Sequence, residues 1–379
     1  MATVALYAHD VDRADPTGIS FYVRRLIGAI CAADTTSQDL VYRIGASPAR
    51  FGNKEAPPDF PVVRSRRPRK ALHVSWACLG RPRIDRVLGH PDLIHVLSPA
   101  VRVPCRTRVV YTVHDLMPIT SPTWYTPKQR WLFGRAITEA ASRAALLIAD
   151  SQRTADQVTA RLGVHPSRIR VVHLAVDQGF FSASDAGEIQ RVCASNGVEP
   201  GRYLVAVGAV SSRKNLRVVI EALAQLGHGS SPIKLLAVGP EGLGYQETHA
   251  LVRERHLEDV VRFIGWLPIE DVRLLLSGAA ALVHPSVDEG FGMPPLEAMA
   301  SGVPAIVSDA GSLPEVTGSA AILVDPHDAE GWAAAIRQVA DDNALRTDLV
   351  ARGRAHVADF SWDRVAAETI AVHRAALSL

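Results

Sequence analysis

At 379 residues the chain is long enough for two domains of ordinary size. Its content of 47% hydrophobic and 21% charged residues is normal for a globular protein, and no apolar run approaches the roughly 18 residues that would span a bilayer. Four scattered cysteines form no CxxC pair, which argues against a disulfide framework or a cysteine metal site and is typical of a cytoplasmic protein. The sequence begins directly with a strand-like segment, so we expect no signal peptide.

The net charge of +2 hides a strong division between the two halves. Residues 1–180 contain 25 Lys and Arg against 14 Asp and Glu, a balance of +11. Residues 181–379 contain the other 16 and 25, a balance of −9. Opposite charges predict two lobes with different partners. A basic first lobe favours an anionic acceptor or an anionic membrane face, with an ordinary solvated surface as the alternative.

The first half alternates strand-like apolar runs with amphipathic segments. A strand at Val4–Tyr7 is followed by a polar loop that ends at Gly18, and apolar residues at helical spacing then predict a helix over Ile19–Ala32. Further strands are predicted at Leu93–Leu97, Arg108–Val113, Ala144–Asp150 and Arg170–Leu174. This order is typical of a doubly wound α/β domain.

Two basic segments of the first half are candidates for contact with an anionic partner. The run Arg64–Lys70 lacks the interleaved aromatics and the module of a nucleic-acid interface, so we expect no nucleic-acid partner. An interfacial or diphosphate-binding surface is favoured there, with a solvated loop as the alternative. The segment Trp124–Arg135 combines aromatic with basic side chains. Helical core packing is its default interpretation, and contact with a lipid-linked acceptor at a membrane surface is the alternative.

His114 directly follows the predicted strand Arg108–Val113. Open α/β sheets bind ligands at the carboxyl ends of their parallel strands. His114 is therefore a candidate site residue, although a single histidine in this position is more often structural. The adjacent Asp115 is a candidate for orienting the ring.

The second half begins a new alternation near residue 200. The strand Tyr203–Val207 ends in Gly208, and a short polar segment then precedes a helix that ends at Leu226. Arg213 and Lys214 lie in that segment, beside the helix N-terminus. Two cations in such a place can hold a diphosphate and stabilise it as a leaving group. Two more strands are predicted at Lys234–Val238 and Val260–Ile264. Two helices are predicted at Asp328–Val339 and Ala344–Val357, and a final helix at Phe360–Leu377.

Residues 281–309 form the most informative segment of the chain. A buried strand at Ala281–Val283 leads into a glycine loop, and Pro294 and Pro295 then open a helix that ends at Gly302. A glycine loop that feeds a helix N-terminus offers unpaired N–H groups and a positive dipole end to phosphate. Glu289 and Glu297 bracket this loop, and carboxylates accept hydrogen bonds from sugar or ribose hydroxyls. The alternative is that they only complement the helix dipole.

The string Glu289-Gly-Phe-Gly-Met-Pro-Pro-Leu-Glu297, with the Ala-Met-Ala-Ser-Gly-Val-Pro that follows it, closely resembles the E-x7-E signature of retaining family 4 glycosyltransferases. Ser312-Leu-Pro-Glu-Val and Leu323-Val-Asp-Pro-His-Asp also lie where that family has similar strings. The resemblance covers the second half strongly and the first half weakly. It implies the GT-B fold, with two doubly wound Rossmann-like domains facing each other across a cleft.

The resemblance also implies site residues. Glu289, His114, Lys214 and Arg213 are implied in catalysis: the two cations neutralise the departing diphosphate, Glu289 holds donor-sugar hydroxyls, and His114 reaches the sugar from the first domain. Donor binding is implied for a larger set of residues, which are Gly18, Gly208, Arg213, Lys214, Glu289, Gly290, Phe291, Gly292, Met293 and Glu297. The family often has Gly-Gly where only Gly18 stands, and an arginine where Ala209 stands, so Arg213 is the candidate substitute.

The predicted domains are residues 1–185 on the acceptor side, residues 186–360 on the donor side, and a C-terminal helix at 361–379 that crosses back to the first domain, with a hinge near 178–199. The predicted activity is retaining transfer of a hexose from a nucleotide-diphosphate sugar to a saccharide or lipid-linked acceptor. The resemblance to mannosyltransferases favours GDP-mannose; nothing in the residues themselves selects a base or a sugar.

Several alternatives stay open. They are a UDP- or dTDP-sugar donor, a GT-B epimerase that needs no acceptor, and a catalytically silent GT-B subunit that binds a partner enzyme. We expect no cofactor and no metal site, and the pair Asp10 and Asp12 is interpreted as a solvated loop. The expected location is the cytoplasm, with peripheral contact at the anionic inner face of the plasma membrane.

Overall fold

The computed structural model describes residues 1–8, 18–33, 39–46, 62–64, 69–98, 103–227 and 233–379. The pair Asp10 and Asp12, the loop before Gly18 and the middle of the basic run Arg64–Lys70 lie outside these residues. The contacts of the chain divide it into two compact units. Unit 1 consists of Met1–Leu174 with Ser361–Leu379, and unit 2 consists of Ala175–Phe360.

Unit 1 alternates strands and helices. Its strands are β1 (Ala2–Tyr7), β2 (Leu40–Ala46), β3 (Val62–Arg64), β4 (Leu93–Val96), β5 (Arg108–Val113), β6 (Leu146–Ala149) and β7 (Ile169–Val171). Its helices are α1 (Gly18–Ala33), α2 (Arg69–Leu79), α3 (Ile84–Val87), α4 (Met117–Thr120), α5 (Pro127–Arg143) and α6 (Gln152–Leu162), with α15 (Trp362–Ser378) added from the C-terminus.

The described strands of unit 1 form one parallel sheet in the order β3-β2-β1-β4-β5-β6-β7. The strands are continuous apolar runs because helices cover both faces of a parallel sheet. The strand order reverses between β1 and β4, and this switch is where doubly wound sheets bind ligands. Ser151 is the N-cap of α6, since its side chain accepts from the N–H of Thr154.

Unit 2 has the same alternation. Its strands are β8 (Tyr203–Val207), β9 (Lys234–Val238), β10 (Val261–Gly265), β11 (Ala281–His284), β12 (Ala305–Ser308) and β13 (Ile322–Val324). Its helices are α7 (Ala186–Ser195), α8 (Leu216–Leu226), α9 (Tyr245–Glu254), α10 (Ile269–Ser277), α11 (Met293–Ala300), α12 (Leu313–Thr317), α13 (Ala329–Asp341) and α14 (Asn343–Val357).

The described strands of unit 2 form a second parallel sheet in the order β10-β9-β8-β11-β12-β13. The order reverses between β8 and β11, so the segments that follow these two strands meet at the switch. Arg213 and Lys214 follow β8, and Glu289 follows β11. The strand pairing alone therefore brings together the cations and the first carboxylate that the sequence analysis singled out.

The boundaries of the two units differ from the predicted ones. Unit 1 ends at Leu174, whereas the sequence placed the end of the first domain at residue 185. The following turn, a 3-10 helix at Gln178–Phe181, packs against α11 and so belongs to unit 2. The predicted hinge region 178–199 is accordingly occupied by this turn and by α7. The C-terminal helix α15 packs on α1 and against β4, β5 and β6 of unit 1.

Among the described residues, no helix combines the length and the apolar character that a membrane-spanning segment needs.

Candidate functional site

A glycine directly follows β8 and β9 and ends β10, and the backbones of these three glycines are neighbours. The N–H of Gly239 donates to the carbonyl of Gly265 at 2.8 Å, and the N–H of Gly208 donates to the carbonyl of Val238 at 2.9 Å. A Cβ on Gly239 would lie 2.2 Å from the carbonyl oxygen of Gly208, so only glycine fits there. Gly208 itself has a φ of 129°, and the Lys214 side chain lies across it.

Glu289 accepts contacts from two cations. The Nζ atom of Lys214 lies 2.6 Å from its Oε1 atom, and a guanidinium nitrogen of Arg213 lies 2.8 Å from its Oε2 atom. The same guanidinium nitrogen donates to the carbonyl oxygen of Asp288 at 3.0 Å. The carboxylate thus holds both cations against the loop after β11. Arg213, whose contact the sequence left open, lies in this cluster beside Lys214.

His284, the last residue of β11, completes the cluster. Its Nε2 atom lies 3.2 Å from Oε1 of Glu289 and 3.3 Å from the hydroxyl of Ser286. Burial, together with the nearby charge of Lys214, lowers the pKa of His284 to about 4, so the ring is neutral at pH 7. A neutral ring that donates from Nε2 stabilises the Glu289 carboxylate without adding a third positive charge.

The electrostatics of the cluster are those of a partly neutralised anion site. Burial alone would raise the pKa of Glu289, but Lys214, Arg213 and His284 outweigh it and hold that pKa well below its usual range. Burial and the charge of Arg213 lower the pKa of Lys214, while Glu289 opposes this shift. At pH 7 two cations therefore face one carboxylate, and the remaining positive charge favours an anionic ligand.

The loop between Glu289 and α11 is shaped by two glycines and one serine. Gly292 caps the helix with a φ of 106°, and a Cβ there would lie 2.5 Å from the Leu313 side chain. A Cβ on Gly311 would lie 2.5 Å from the backbone nitrogen of Glu289. The hydroxyl of Ser312 donates to the carbonyl oxygens of Glu289 at 3.0 Å and Phe291 at 2.6 Å. These contacts fix the loop backbone, which is what a preorganised binding loop needs.

The N-terminus of α11 differs in one respect from a simple phosphate site. The helix begins at Met293, and its next two residues, Pro294 and Pro295, carry no N–H group. This end of the helix therefore offers fewer N–H groups to an anion than a helix without prolines in its first turn.

Glu297 lies one turn into α11 and is half-buried. Burial and the charge of Asp177 raise the pKa of its carboxyl to about 7, and Lys214 acts in the opposite direction. Asp177 precedes the 3-10 turn that packs on α11, and its Oδ1 atom accepts from the N–H of Gly179 at 2.7 Å. Glu297 is thus poised to change its protonation near neutral pH, in contrast to Glu289.

In unit 1, His114 is held by two hydrogen bonds. Its Nδ1 atom lies 2.6 Å from Oδ2 of Asp150, and its Nε2 atom lies 3.0 Å from the carbonyl oxygen of Leu97. Although burial lowers the pKa of His114, the charge of Asp150 and the two hydrogen bonds raise it above the ordinary value. The expectation that Asp115 orients the ring is corrected, since Asp150 does so and Asp115 accepts from the N–H of Met117 at 2.9 Å.

The structure thus brings together one group of the candidate residues. Gly208, Arg213, Lys214, Glu289, Gly290, Phe291, Gly292, Met293 and Glu297 all follow β8 or β11 in unit 2. Gly18, the first residue of α1, and His114 belong to unit 1. No group of three His, Cys, Asp or Glu side chains is arranged to hold a metal ion within the described ranges.

Sequence reasoning missed three partners of these residues: His284, Asp150 and Asp177. His284 is the last residue of β11, Asp150 directly follows β6, and Asp177 precedes the turn that packs against α11. For His284 and Asp150 the signal was available, because both lie at the carboxyl end of a predicted strand, as His114 does. For Asp177 the local sequence carries no such signal.

Comparison with known proteins gives a consistent result. The family described as "Glycosyl transferases group 1" matches residues 194–356, and "Glycosyltransferase Family 4" matches residues 17–180. The chain is 31% identical to O-antigen chain mannosyltransferase B of Escherichia coli, over 70% of each chain. It is also 31% identical to the D-inositol 3-phosphate glycosyltransferase of Actinosynnema mirum, over 75% of this chain and 72% of the relative.

Solved structures share the fold at lower identity. The Anabaena protein Alr3699/HepE, in complex with UDP and glucose, superposes with a TM-score of 0.77 at 18% identity and covers 99% of this chain and 100% of its own. Sucrose-phosphate synthase of Thermosynechococcus elongatus gives 0.75 at 23% identity, with full coverage (100%) of both chains. The predicted two-domain fold class is therefore confirmed.

Proposed function

The chain belongs to glycosyltransferase family 4, and from this premise we propose that it transfers mannose from GDP-mannose to a saccharide acceptor with retention of configuration. The observation that carries the proposal is the contact of Lys214 and Arg213 with Glu289 at the switch between β8 and β11. A nucleotide diphosphate is an anionic leaving group. The cluster contains two cations and one carboxylate, so it keeps a positive charge that can stabilise this leaving group.

The geometry supports a role for each residue. The diphosphate takes the place of Glu289 as a partner of Lys214 and Arg213, and the N–H groups of Gly290 to Met293 bind its oxygens or those of the sugar. Glu289, released from the cations, accepts from donor-sugar hydroxyls as the glycosidic bond becomes oxocarbenium-like.

Glu297 is proposed to bind the ribose hydroxyls. His114, cationic beside Asp150, is proposed to reach the donor sugar, which requires that it exchange its contact with the carbonyl of Leu97 for one with the sugar. The acceptor hydroxyl attacks from the side that the diphosphate leaves, and a departing phosphate oxygen takes the hydroxyl proton. The bond to the acceptor forms as the bond to the diphosphate breaks. Because the new bond forms on the face of the sugar that the diphosphate leaves, the configuration is retained.

The choice of mannose is supported by relatives. Besides the Escherichia coli protein above, the chain is 28% identical to O-antigen chain mannosyltransferase RfbU of Salmonella typhimurium, over 69% of this chain and 68% of the relative. The structure of Alr3699/HepE with UDP and glucose supports the alternative of a UDP-sugar donor. The names of the mannosyltransferases also support a growing cell-envelope glycan as the acceptor, and the basic first half of the chain supports a lipid-linked form of it.

The donor proposal is tested with GDP-mannose, UDP-glucose, UDP-N-acetylglucosamine and dTDP-rhamnose, scored by calorimetry and by donor hydrolysis without added metal. We expect GDP-mannose to bind with preference and Lys214→Ala to abolish that preference. Preference for another donor would reject mannose and keep the mechanism. Turnover of the donor sugar itself without acceptor would favour an epimerase, and binding of none would favour a silent partner subunit.

Peripheral contact with an anionic membrane is a second part of the proposal. Trp131 on α5 is 58% exposed, and the Arg135 guanidinium lies 5.7 Å from its ring centroid. Val74 and Leu79 on α2 are 62% and 74% exposed. Exposed aromatic and apolar side chains beside cations favour an interfacial location. Flotation with vesicles that contain phosphatidylglycerol, compared with pure phosphatidylcholine vesicles, tests it; equal recovery with both would reject it.

A further inference from the structure

Five buried polar side chains of unit 1 form one continuous hydrogen-bonded chain, called the buried chain below. In order, the atoms are Tyr42 OH, His373 Nδ1 and Nε2, His95 Nδ1 and Nε2, Thr112 Oγ1 and Tyr22 OH, with successive distances of 2.9, 2.9, 2.9 and 3.1 Å. The chain begins on β2, passes through α15, β4 and β5, and ends on α1. All five residues are at most 4% exposed.

The two histidines of the buried chain are neutral at pH 7. Burial lowers the pKa of His373 to about 3. Burial is the main cause that lowers the pKa of His95 well below its usual range, and the neighbouring His373 and His114 disfavour a further proton there. A neutral imidazole has one donor and one acceptor nitrogen. Each histidine therefore accepts a hydrogen bond from one neighbour and donates one to the next, in the same direction along the buried chain. Every member is then satisfied, and such a network rigidifies the groups that it joins.

The buried chain ends at Tyr22, and Tyr22 contacts His114. The two ring centroids are 4.9 Å apart, and the rings are nearly perpendicular at 80°. The Tyr22 ring also lies 6.3 Å from that of Trp362, the first residue of α15. Helix α15 therefore fixes Tyr22 at two points: directly through Trp362, and through His373 and the rest of the buried chain.

The Tyr22 ring is a third contact of His114, beside two hydrogen bonds. Asp150 and the carbonyl of Leu97 hold the two ring nitrogens. The nearly perpendicular Tyr22 ring packs against the imidazole beside these two hydrogen bonds and limits its movement on that side. A displacement of Tyr22 removes this limit, so we expect it to change the orientation of His114.

We propose that the buried chain and α15 hold Tyr22 in place, and that Thr112, His373 and Tyr22 are positioning residues for His114. The consequence for the reaction rests on the role proposed above for His114. The C-terminal helix, remote in sequence from His114, would then be required for the orientation of a residue that acts on the donor sugar.

The variant Thr112→Val tests the proposal because it breaks the buried chain without touching His114. Tyr22 OH and His95 Nε2 lose their partner inside the unit, and Tyr22 must move to find another. We expect the rate of GDP-mannose hydrolysis to fall about tenfold, the order expected when a reacting group is displaced by less than an ångström. The KM for GDP-mannose should change less than twofold, because the cations of unit 2 are intact.

A second measurement reports on His114 without reference to the donor. In full-length protein labelled with ¹³C-histidine, the His114 resonance is assigned with His114→Gln and titrated with pH. We expect Thr112→Val to shift this resonance and its midpoint, and Thr112→Ser, which keeps the hydroxyl, to restore both. If Thr112→Val does not fold, Tyr22→Phe breaks only the last link and keeps the ring, and the same shift is expected.

The matched control is Arg374→Ala. Arg374 anchors the same helix through an exposed bidentate pair with Asp39, at 2.8 and 3.0 Å, and lies outside the buried chain. It should leave the His114 resonance and the hydrolysis rate unchanged. A folded Thr112→Val or Tyr22→Phe protein with an unchanged His114 resonance would overturn the proposal. A third outcome is that Thr112→Val shifts the His114 resonance while the hydrolysis rate stays unchanged both in Thr112→Val and in His114→Ala. That outcome would support the positioning of His114 by the buried chain and reject the proposed role of His114 in the reaction.

Discussion

Glu297 carries a carboxyl whose ionised form the fold disfavours, and the substitution Glu297→Gln makes this measurable. Burial and the charge of Asp177 raise its pKa from 4.5 to about 7. Glutamine keeps the shape and the hydrogen-bonding capacity of the side chain and removes its charge. We therefore expect Glu297→Gln to stabilise the protein at alkaline pH and to have little effect at acid pH.

The sign and magnitude follow from proton linkage. Between pH 4.5 and about 7, the folded state keeps a proton on Glu297 that the unfolded chain has released, so stability falls as the pH rises. Each pH unit in this window costs about 1.4 kcal/mol. The destabilisation is absent below pH 4.5 and complete above about pH 7, where it reaches about 3 kcal/mol. Glu297→Gln has no ionisable carboxyl at this position, so the variant does not undergo this loss of stability.

Scanning calorimetry at pH 5, 6, 7 and 8 is the suitable assay, because a chain of two units can unfold in more than one step. For a unit of this size, 1 kcal/mol corresponds to about 2–4 °C in Tm, so the variant should melt about 6–12 °C higher than wild type at pH 8 and only about 1–3 °C higher at pH 5. Glu258→Gln, at an exposed position, is the control and should show no such trend. A difference between variant and wild type that is equal at all four pH values would refute the reasoning.

Other substitutions test the rest of the site. Glu289→Gln leaves Lys214 buried beside a neutral partner, and we expect a loss of about 3 kcal/mol in urea unfolding; a loss under 1 kcal/mol would show that the pair is effectively solvent-screened. His114→Gln removes a stabilising charge whose contribution is full below pH 6.5 and disappears as the pH rises through the raised folded-state pKa, so the stability difference from wild type should shrink with rising pH. A constant difference would contradict this. Gly292→Ala forces a side chain onto a φ of 106° and into contact with Leu313, and should cost about 2 kcal/mol and weaken binding of GDP-mannose in calorimetry; unchanged binding would show that the loop adapts.

Much of the fold could be predicted from local sequence. The strands Arg108–Val113, Tyr203–Val207 and Lys234–Val238 have the predicted bounds, because fully buried parallel strands are unbroken apolar runs with sharp ends. The helix after the E-x7-E loop ends next to Gly302, as predicted, since glycine there adopts a φ of 73°. The ends of the first unit were harder to predict, because the turn after Leu174 is assigned by its packing on α11 and by no local signal.

The candidate site was predicted in its main residues and missed in its partners. The strings around Lys214 and Glu289 predict a diphosphate site, because cations, glycines and carboxylates at strand ends have few other common uses. The pairing of Lys214 and Arg213 with Glu289 was not predicted. It depends on β8 and β11 being neighbours, and strand order is decided by packing between segments far apart in the chain.

The sequence by itself determined the alternation of strands and helices, the family and the residue types of the candidate site, because these depend on residue types at short spacing. Only the tertiary structure decided which charges face one another. It placed Asp177 near Glu297, Asp150 on His114, and the C-terminal helix beside Tyr22. The two glutamates of one motif consequently have pKa values shifted in opposite directions, because the number of cations and carboxylates around each is set by contacts that the sequence spacing does not contain.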